Sequence, residues 1–313
     1  MLAFTVYVAV AIPENLVHIQ EGDENVKLHV NLDEWVNANS YKELDAKDFN
    51  QYLLFTRLKP TSSQTLVMDD VDTITSSNYN PNVPTIVVAH GWLGNRHTNL
   101  NSVISNAFLE NGDNNVIILD WSQVAMSGYF SAIAKIPEVG QNLGKFLSFL
   151  NKVTRASFDS MHLVGFSLGS HVVGNAGREL NERIARITGL DLISPIWYLN
   201  NNRLNKNDGI YVEVIHTNGV DSTVNMAIGD ADFYPNGERS QPGCSSTSCN
   251  HNRSWELFAA TVTDNHLAGR ECYSIQMISS NTCQGKLFEM GNGNINKRGL
   301  GLYQLETGSI YPF

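Results

Sequence analysis

Among residues able to do chemistry, the most legible is a serine held between two glycines. Gly165-Phe166-Ser167-Leu168-Gly169 fits Gly-x-Ser-x-Gly, in which the serine sits on a sharp strand-to-helix turn. The glycines are needed because such a turn brings backbones together and leaves no room for a Cβ. The context fits: Met161-His162-Leu163-Val164 has strand length and composition, and Leu168, Val172, Val173, Ala176 and Leu180 fall at helical spacing. A serine unassisted is a poor nucleophile near neutral pH, so a base must lie within hydrogen-bond reach. In elbow hydrolases the chain order is serine, acid, histidine, which leaves His216, His251 and His266 of the nine histidines, setting aside His171 on the elbow's own helix. His216, at the end of an apolar run, reads better as a structural imidazole. His251 follows Cys249 in a loop that can hold an imidazole at the sheet's rim, and it is the favoured base; His266 follows a less constrained polar loop.

The acid reads best as Asp191, at the end of Arg186-Ile187-Thr188-Gly189-Leu190, because α/β sheets gather functional groups at the carboxyl ends of strands. Its role is to fix the imidazole tautomer and stabilise the imidazolium. Asp230 and Asp232 are rivals, and any of the three could instead be a turn or cap residue. Acyl transfer also needs donors for an oxyanion. The N–H of Leu168, directly after the serine, is one; the N–H of Trp92, in His90-Gly91-Trp92 after the run ending at Ala89, is the other. As structure alone, Gly91-Trp92 is a strand-ending turn with a packed aromatic.

These groups need a scaffold. Thr85–Ala89 and Val116–Leu119 are continuous apolar runs, as strands buried on both faces require. Residues 97–110 between them can form a crossover helix. Ile136, Val139, Leu143, Phe146, Leu147 and Leu150 mark an amphipathic helix within Ile133–Leu150. Strands at Ile184–Leu190 and Ile210–Ile215 follow the elbow. Phe49–Arg57 is a further strand, Val26–Leu32 alternates as a strand does, and Thr73–Pro84 is a polar loop. Lys286–Phe313, rich in glycine, is expected to end in an edge strand. Alternating strands and helices imply a mostly parallel sheet covered on both faces.

The chain has 313 residues and a net charge of −10, which argues against nucleic acid or an anionic membrane as a partner. A lipid surface met through apolar loops remains open. Leu2–Ile12 is apolar and Ala9-Val10-Ala11 resembles a cleavage site, so residues 1–11 read as a shortened secretory signal or as a buried strand. The four cysteines, Cys244, Cys249, Cys272 and Cys283, lie close together late in the chain. They imply two local disulfides and an oxidising compartment; the spacing does not suit a zinc knuckle.

Four blocks together resemble the animal pancreatic-lipase-like family of secreted lipases and phospholipases A1: VVAHGWLGN at 87–95, HLVGFSLGSHVVGNAG at 162–177, ITGLDLISP at 187–195, and the stretch from YVEVIHTNG to CNHNRS at 211–254. The resemblance implies an α/β-hydrolase fold over 49–313, preceded by an extension at 12–48 packed on the core. It implies a Ser167–Asp191–His251 triad, an oxyanion hole from Trp92 and Leu168, and disulfides Cys244–Cys249 and Cys272–Cys283. It further implies a secreted hydrolase of lipid acyl esters that needs no metal or organic cofactor. The alternative is a non-catalytic storage or binding protein on the same fold, like some insect yolk proteins, which the complete set of triad candidates argues against.

Several positions depart from the family pattern. Asp191-Leu192-Ile193 stands where Asp-Pro-Ala is usual, and Phe166 stands where histidine is common. No C-terminal β-sandwich is expected, and therefore no colipase. The lid loop between Cys244 and Cys249 is reduced to Ser245-Ser246-Thr247-Ser248, too short for an amphipathic helix that could cover an acyl pocket. An open site and a preference for phospholipid or galactolipid over triacylglycerol are expected. Asn252-Arg253-Ser254 matches a glycosylation sequon but reads as chance, since a glycan there would obstruct the base.

Overall fold

The computed structural model describes residues 49–192, 197, 200–219 and 227–313. The signal-like stretch at 1–11, the extension at 12–48 and the strand expected at Val26–Leu32 lie outside the described residues. The strands described are β1 (Gln51–Thr56), β2 (Lys59–Leu66), β3 (Thr85–Ala89), β4 (Asn115–Asp120), β5 (Met161–Phe166), β6 (Arg186–Leu190), β7 (Val212–Ile215), β8 (Ala231–Pro235), β9 (Ala268–Cys272), β10 (Leu287–Glu289) and β11 (Gly301–Leu305). The helices are α1 (Val71–Thr75), α2 (Asn99–Asn111), α3 (Ser122–Ala125), α4 (Tyr129–Thr154), α5 (Leu168–Glu179), α6 (Thr247–Thr263) and α7 (Ile275–Ser280).

All eleven strands join one sheet in the order β10-β9-β11-β8-β7-β6-β5-β3-β4-β1-β2. From β4 through β3, β5, β6, β7 and β8 to β11 every ladder is parallel; antiparallel pairs occur only towards the two ends. The parallel centre is buried on both faces, which is why its strands are continuous apolar runs. Val87, Ala89, Ile117, Leu119 and Leu163 face one core cluster, with α4 and α5 over it. Ile86, Val88, Val116, Ile118 and Val164 face the other, beneath α2 and α6. The two-residue period of a strand sorts alternate residues to these two layers. The result is an α/β-hydrolase architecture.

The elbow helix α5 lies directly against α4. A Cβ at Gly140 would come 2.5 Å from Asn175 Cβ, and one at Gly144 would come 2.6 Å from Glu179 Cβ. These two glycines, one helical turn apart, form the flat strip on which α5 rests. Among the described residues no helix is long and apolar enough to cross a membrane.

Two local expectations are corrected. β11 is not an edge strand: it runs parallel to β8 on one side and antiparallel to β9 on the other, and β10 forms that edge. Its neighbours come from earlier in the chain, so a terminal position in sequence did not mean a terminal position in the sheet. The loop expected from Thr73 begins inside α1, whose N-cap Asp70 accepts from the N–H groups of Asp72 and Thr73.

Candidate active site

Parallel register carries the chemistry to one edge of the sheet. Ala89 pairs with Gly165, Gly165 with Gly189, and Leu190 with Ile215. His90, Ser167, Asp191 and His216 therefore follow the carboxyl ends of neighbouring strands, where an open α/β sheet gathers its ligands.

Ser167 has φ 52° and ψ −125°, in the half of conformational space that L-residues avoid. Holding a serine there costs on the order of 1–3 kcal/mol, which the surroundings must overcome. They do so through hydrogen bonds: Ser167 N–H donates to Leu190 O (2.9 Å), and Ser170 Oγ donates to Gly165 O (2.7 Å). Sterically, a Cβ on Gly165 would stand 2.5 Å from Ser170 Cα, and a Cβ on Gly169 would collide with the carbonyl groups of Ala89 and His90. The glycines allow α5 to start in direct contact with the strand end that leads into the Trp92 loop. Ser167 itself is half-buried.

Asp191 is buried, and both of its carboxylate oxygens are engaged. Oδ1 accepts from the N–H of Thr217 (2.9 Å) and of Asn218 (3.1 Å), and Oδ2 accepts from His251 Nδ1. With Nδ1–H committed to the carboxylate, the basic lone pair of the imidazole is on Nε2, the tautomer a serine base needs. Ring centroids of His251 and Phe166 lie 4.5 Å apart at 38°. The residue beside the serine thus packs on the imidazole, at the position where the family more often has histidine. A circuit closes around the pair: Gln241 Nε2 donates to Thr217 O (3.0 Å), and Gln241 N–H donates to Oδ1 of Asn250, the neighbour of His251 (2.8 Å).

His251 lies in a helix, which corrects the expected loop. Ser246 caps α6 by accepting from Cys249 N–H (3.2 Å), so Thr247–Cys249 already form the first turn and His251 follows within it. Cys244 and Cys249 are joined, with Cα atoms 5.4 Å apart; Cys272 and Cys283 are joined likewise at 4.7 Å. The short loop where a lid could stand is thus half consumed in starting the helix that carries the imidazole. Within the sequon, Asn252 Oδ1 accepts from Trp255 Nε1 (3.2 Å) and Ser254 is fully buried.

The segment after β3 is braced from the segment after β4. Trp121 donates Nε1–H to His90 O (2.9 Å) and its backbone N–H to His90 Nε2 (3.3 Å), with the two rings stacked. Trp92 Nε1–H donates to Ser127 O (2.9 Å), and Leu93, at φ 60°, donates its N–H to Ala125 O (2.9 Å). The N–H groups of Trp92 and Leu168 find no acceptor among the described residues, the condition for donors kept for a ligand. Sequence reading missed Trp121, although an aromatic directly after a buried strand beside this loop was a usable signal. It also missed Thr217 and Asn218, whose contribution is backbone and carries no residue signature.

Beyond Asp191, the unusual Leu192 is held by His171 of α5. His171 Nε2–H donates to Leu192 O (3.1 Å), its Nδ1 accepts from Leu204 N–H (3.0 Å), and Trp197 stacks on the ring. Burial pushes this imidazole down to about 3, so it keeps the neutral form both bonds require. The rival candidates are occupied elsewhere. His216 pairs with Asp232 (2.8 Å), Asp230 accepts from Val212 N–H (2.9 Å), and His266 is exposed beyond α6.

The family model described as Lipase matches residues 17–307. The chain belongs to the Lipase family. It is 31% identical over 307 residues to pancreatic triacylglycerol lipase of Homo sapiens, covering 85% of this chain and 65% of that one. It is 32% identical over 261 residues to the coypu (Myocastor coypus) enzyme of the same name, covering 74% and 57%. It is 31% identical over 253 residues to phospholipase A1 member A of Bos taurus, covering 77% and 54%. The chain thus spans 54–65% of the length of these relatives.

Proposed function

We propose that this chain is a secreted serine hydrolase of lipid carboxylic esters, with Ser167 as nucleophile, His251 as general base and Asp191 as its orienting acid. The observation that carries the reading is the Asp191–His251 pair, whose imidazole packs on Phe166, the neighbour in sequence of a serine held at positive φ. Ser167 Oγ attacks the ester carbonyl carbon as its proton passes to His251 Nε2. The tetrahedral oxyanion is received by the N–H groups of Trp92 and Leu168, each worth roughly 3–4 kcal/mol in the transition state. Collapse breaks the carbon–oxygen bond of the leaving alcohol, which takes the proton from His251. Water, deprotonated by the same Nε2, then attacks the acyl-enzyme, releases the fatty acid and restores the serine. These steps draw on this chain's own groups, and the relatives named for triacylglycerol lipase and phospholipase A1 activity support the substrate class.

The four residues between Cys244 and Cys249 support a preference for phospholipid. All are polar, and the last two already form the start of α6, so they offer no apolar surface to close over an acyl chain. The paired cysteines support an oxidising, extracellular setting. The test is labelling with a fluorophosphonate, followed by rates on phosphatidylcholine, a galactolipid and emulsified triolein. Labelling of Ser167, lost in Ser167→Ala, with faster turnover of phospholipid or galactolipid than of triolein, is expected. A folded protein that is not labelled sinks the enzyme reading. Preference for triolein with activation at the interface sinks the substrate assignment alone.

A further inference from the structure

Two of the residues weighed for the triad, His216 and Asp232, turn out to be partners of each other. His216 Nε2–H donates to Asp232 Oδ1 at 2.8 Å, and both side chains are buried. Asp232 is held in turn by the N–H groups of Ile228 on Oδ1 (3.1 Å) and Gly229 on Oδ2 (3.0 Å). The imidazole lies flat on Tyr234, with centroids 4.6 Å apart and planes 7° from parallel. A buried, fully built imidazole–carboxylate pair is costly and rarely improves stability over an apolar packing. Its position gives it another use.

His216 is the first residue past the end of β7, and the next two residues supply the N–H groups that hold Asp191 Oδ1. Past the ladder, a strand's backbone loses the regular bonds that fix its direction. Here His216 replaces them: its own N–H donates to Phe233 O (2.8 Å), and its side chain grips Asp232 two residues into β8. The pair therefore sets the direction in which Thr217 and Asn218 point their N–H groups.

We propose that the His216–Asp232 pair is a positioning device for Asp191: it aims the Thr217 and Asn218 donors at the carboxylate. The proposal rests on the Ser167–Asp191–His251 reading and adds to it. Burial alone pushes the His216 imidazole down. The hydrogen bond and charge of Asp232 outweigh that, with the charges of Glu238 and Asp191 adding to it, and the group lies above its ordinary value. Among the described residues, the charged and titratable groups facing the ring are Asp232 and Tyr234 on β8, Glu238 after it, and Asp191 at the end of β6. His216 Nδ1 has no acceptor among the described residues.

Charge arithmetic makes the proposal testable. Below the raised His216 value, where the ring is protonated, His216→Gln leaves Asp232 ionised and adds one net negative charge behind Asp191. That favours the His251 imidazolium, so the acid limb of kcat/KM moves up by about half a unit. Asp232→Asn removes the hydrogen bond and charge that most raise the His216 value, so ring and partner turn neutral together and the net charge changes little; the limb stays nearly in place. Both variants replace the charge-assisted bond to β8 with a weaker one, so kcat falls about tenfold at nearly constant KM, less than the roughly 100-fold of a catalytic group misplaced by about 1 Å. A pair that is merely structural lowers the melting temperature of both variants but leaves kcat and the limb as in wild type, and that result overturns the proposal. If neither variant folds, the wild-type protein decides. Histidine NMR follows the His216 titration together with the low-field Nδ1 proton of His251. A resonance that shifts as His216 loses its proton supports the proposal; one that stays fixed overturns it. Failure of wild type to be labelled by a fluorophosphonate is a failure of the active-site reading and is recognised before any variant is made.

Discussion

Gly169→Ala tests whether the proposed nucleophile and the proposed oxyanion donors are held as one unit. A Cβ at this position would stand 2.9 Å from the carbonyl carbon of Ala89 and closer still to the carbonyl oxygens of Ala89 and His90. That is about 1 Å inside ordinary contact, and the atoms met are backbone, which cannot rotate away. Relief requires the start of α5 to retreat from the end of β3 by roughly that distance, carrying Leu168 N–H away from Trp92 N–H. A displacement of about 1 Å at a reacting centre costs on the order of 100-fold in rate. Overpacking itself costs about 1–3 kcal/mol, or a few degrees in melting temperature per kcal/mol. The assay is kcat/KM on a soluble p-nitrophenyl ester together with thermal unfolding. Gly174→Ala on the same helix is the control: its Cβ would meet Asp208 Oδ2 at 2.7 Å and Leu204 Cδ1 at 2.9 Å, away from both donors. It should lose comparable stability while keeping most of its kcat. Gly169→Ala with wild-type kcat/KM, or a Gly174→Ala loss equal to it, would refute the coupling.

Phe166→Leu removes the ring that packs on His251 and should lower kcat/KM by about 2- to 12-fold, the worth of an aromatic pair of ~0.5–1.5 kcal/mol, with KM little changed. An effect confined to KM would place the ring in substrate binding instead. Glu213→Gln should cost about 3–5 kcal/mol in urea unfolding, because it strands two buried cations, Arg186 (3.1 Å) and Lys297, beside the β10–β11 connection. Burial pushes the Glu213 carboxyl up, but the Lys297 ammonium and Arg186 guanidinium outweigh it and hold the group below its ordinary value. A depressed carboxylate contributes stability that is present above the unfolded value, about 4.3, and is lost as pH falls through the lower folded one. Wild type should therefore lose stability more steeply than Glu213→Gln on acidification below about pH 4.3; parallel curves would refute this.

The centre of the fold was legible because strands covered on both faces must be continuous apolar runs; β3, β4 and β5 announce themselves in that way, and the elbow announces the turn after β5. The periphery was not. β2, Lys-Pro-Thr-Ser-Ser-Gln-Thr-Leu, is almost wholly exposed at the sheet's outer end and has no apolar alternation to detect. β8 and β9 carry Asp232 and Arg270 within the strand, so their composition hides their geometry. At the site, side-chain chemistry was legible and backbone chemistry was not. Ser167, Asp191 and His251 could be named from residue type and order, whereas the two N–H groups that hold Asp191 belong to Thr217 and Asn218 for reasons of position alone.

That difference explains why two residues could look like rivals and be neither. An aspartate and a histidine near the end of β7 satisfy every compositional demand of a triad. What separates them from the proposed pair is their order in the chain, histidine before acid, and which backbone they adjoin. Asp191 follows the strand beside the elbow, and its carboxylate reaches a helix N-terminal turn that carries His251. Asp232 is inside its strand, and the imidazole its carboxylate reaches is His216, one strand over. Sheet order, β5 then β6 then β7 then β8, therefore ranks the two pairs by distance from Ser167. In the proposed mechanism the nearer pair exchanges a proton with Ser167, and the farther one acts through Asp191.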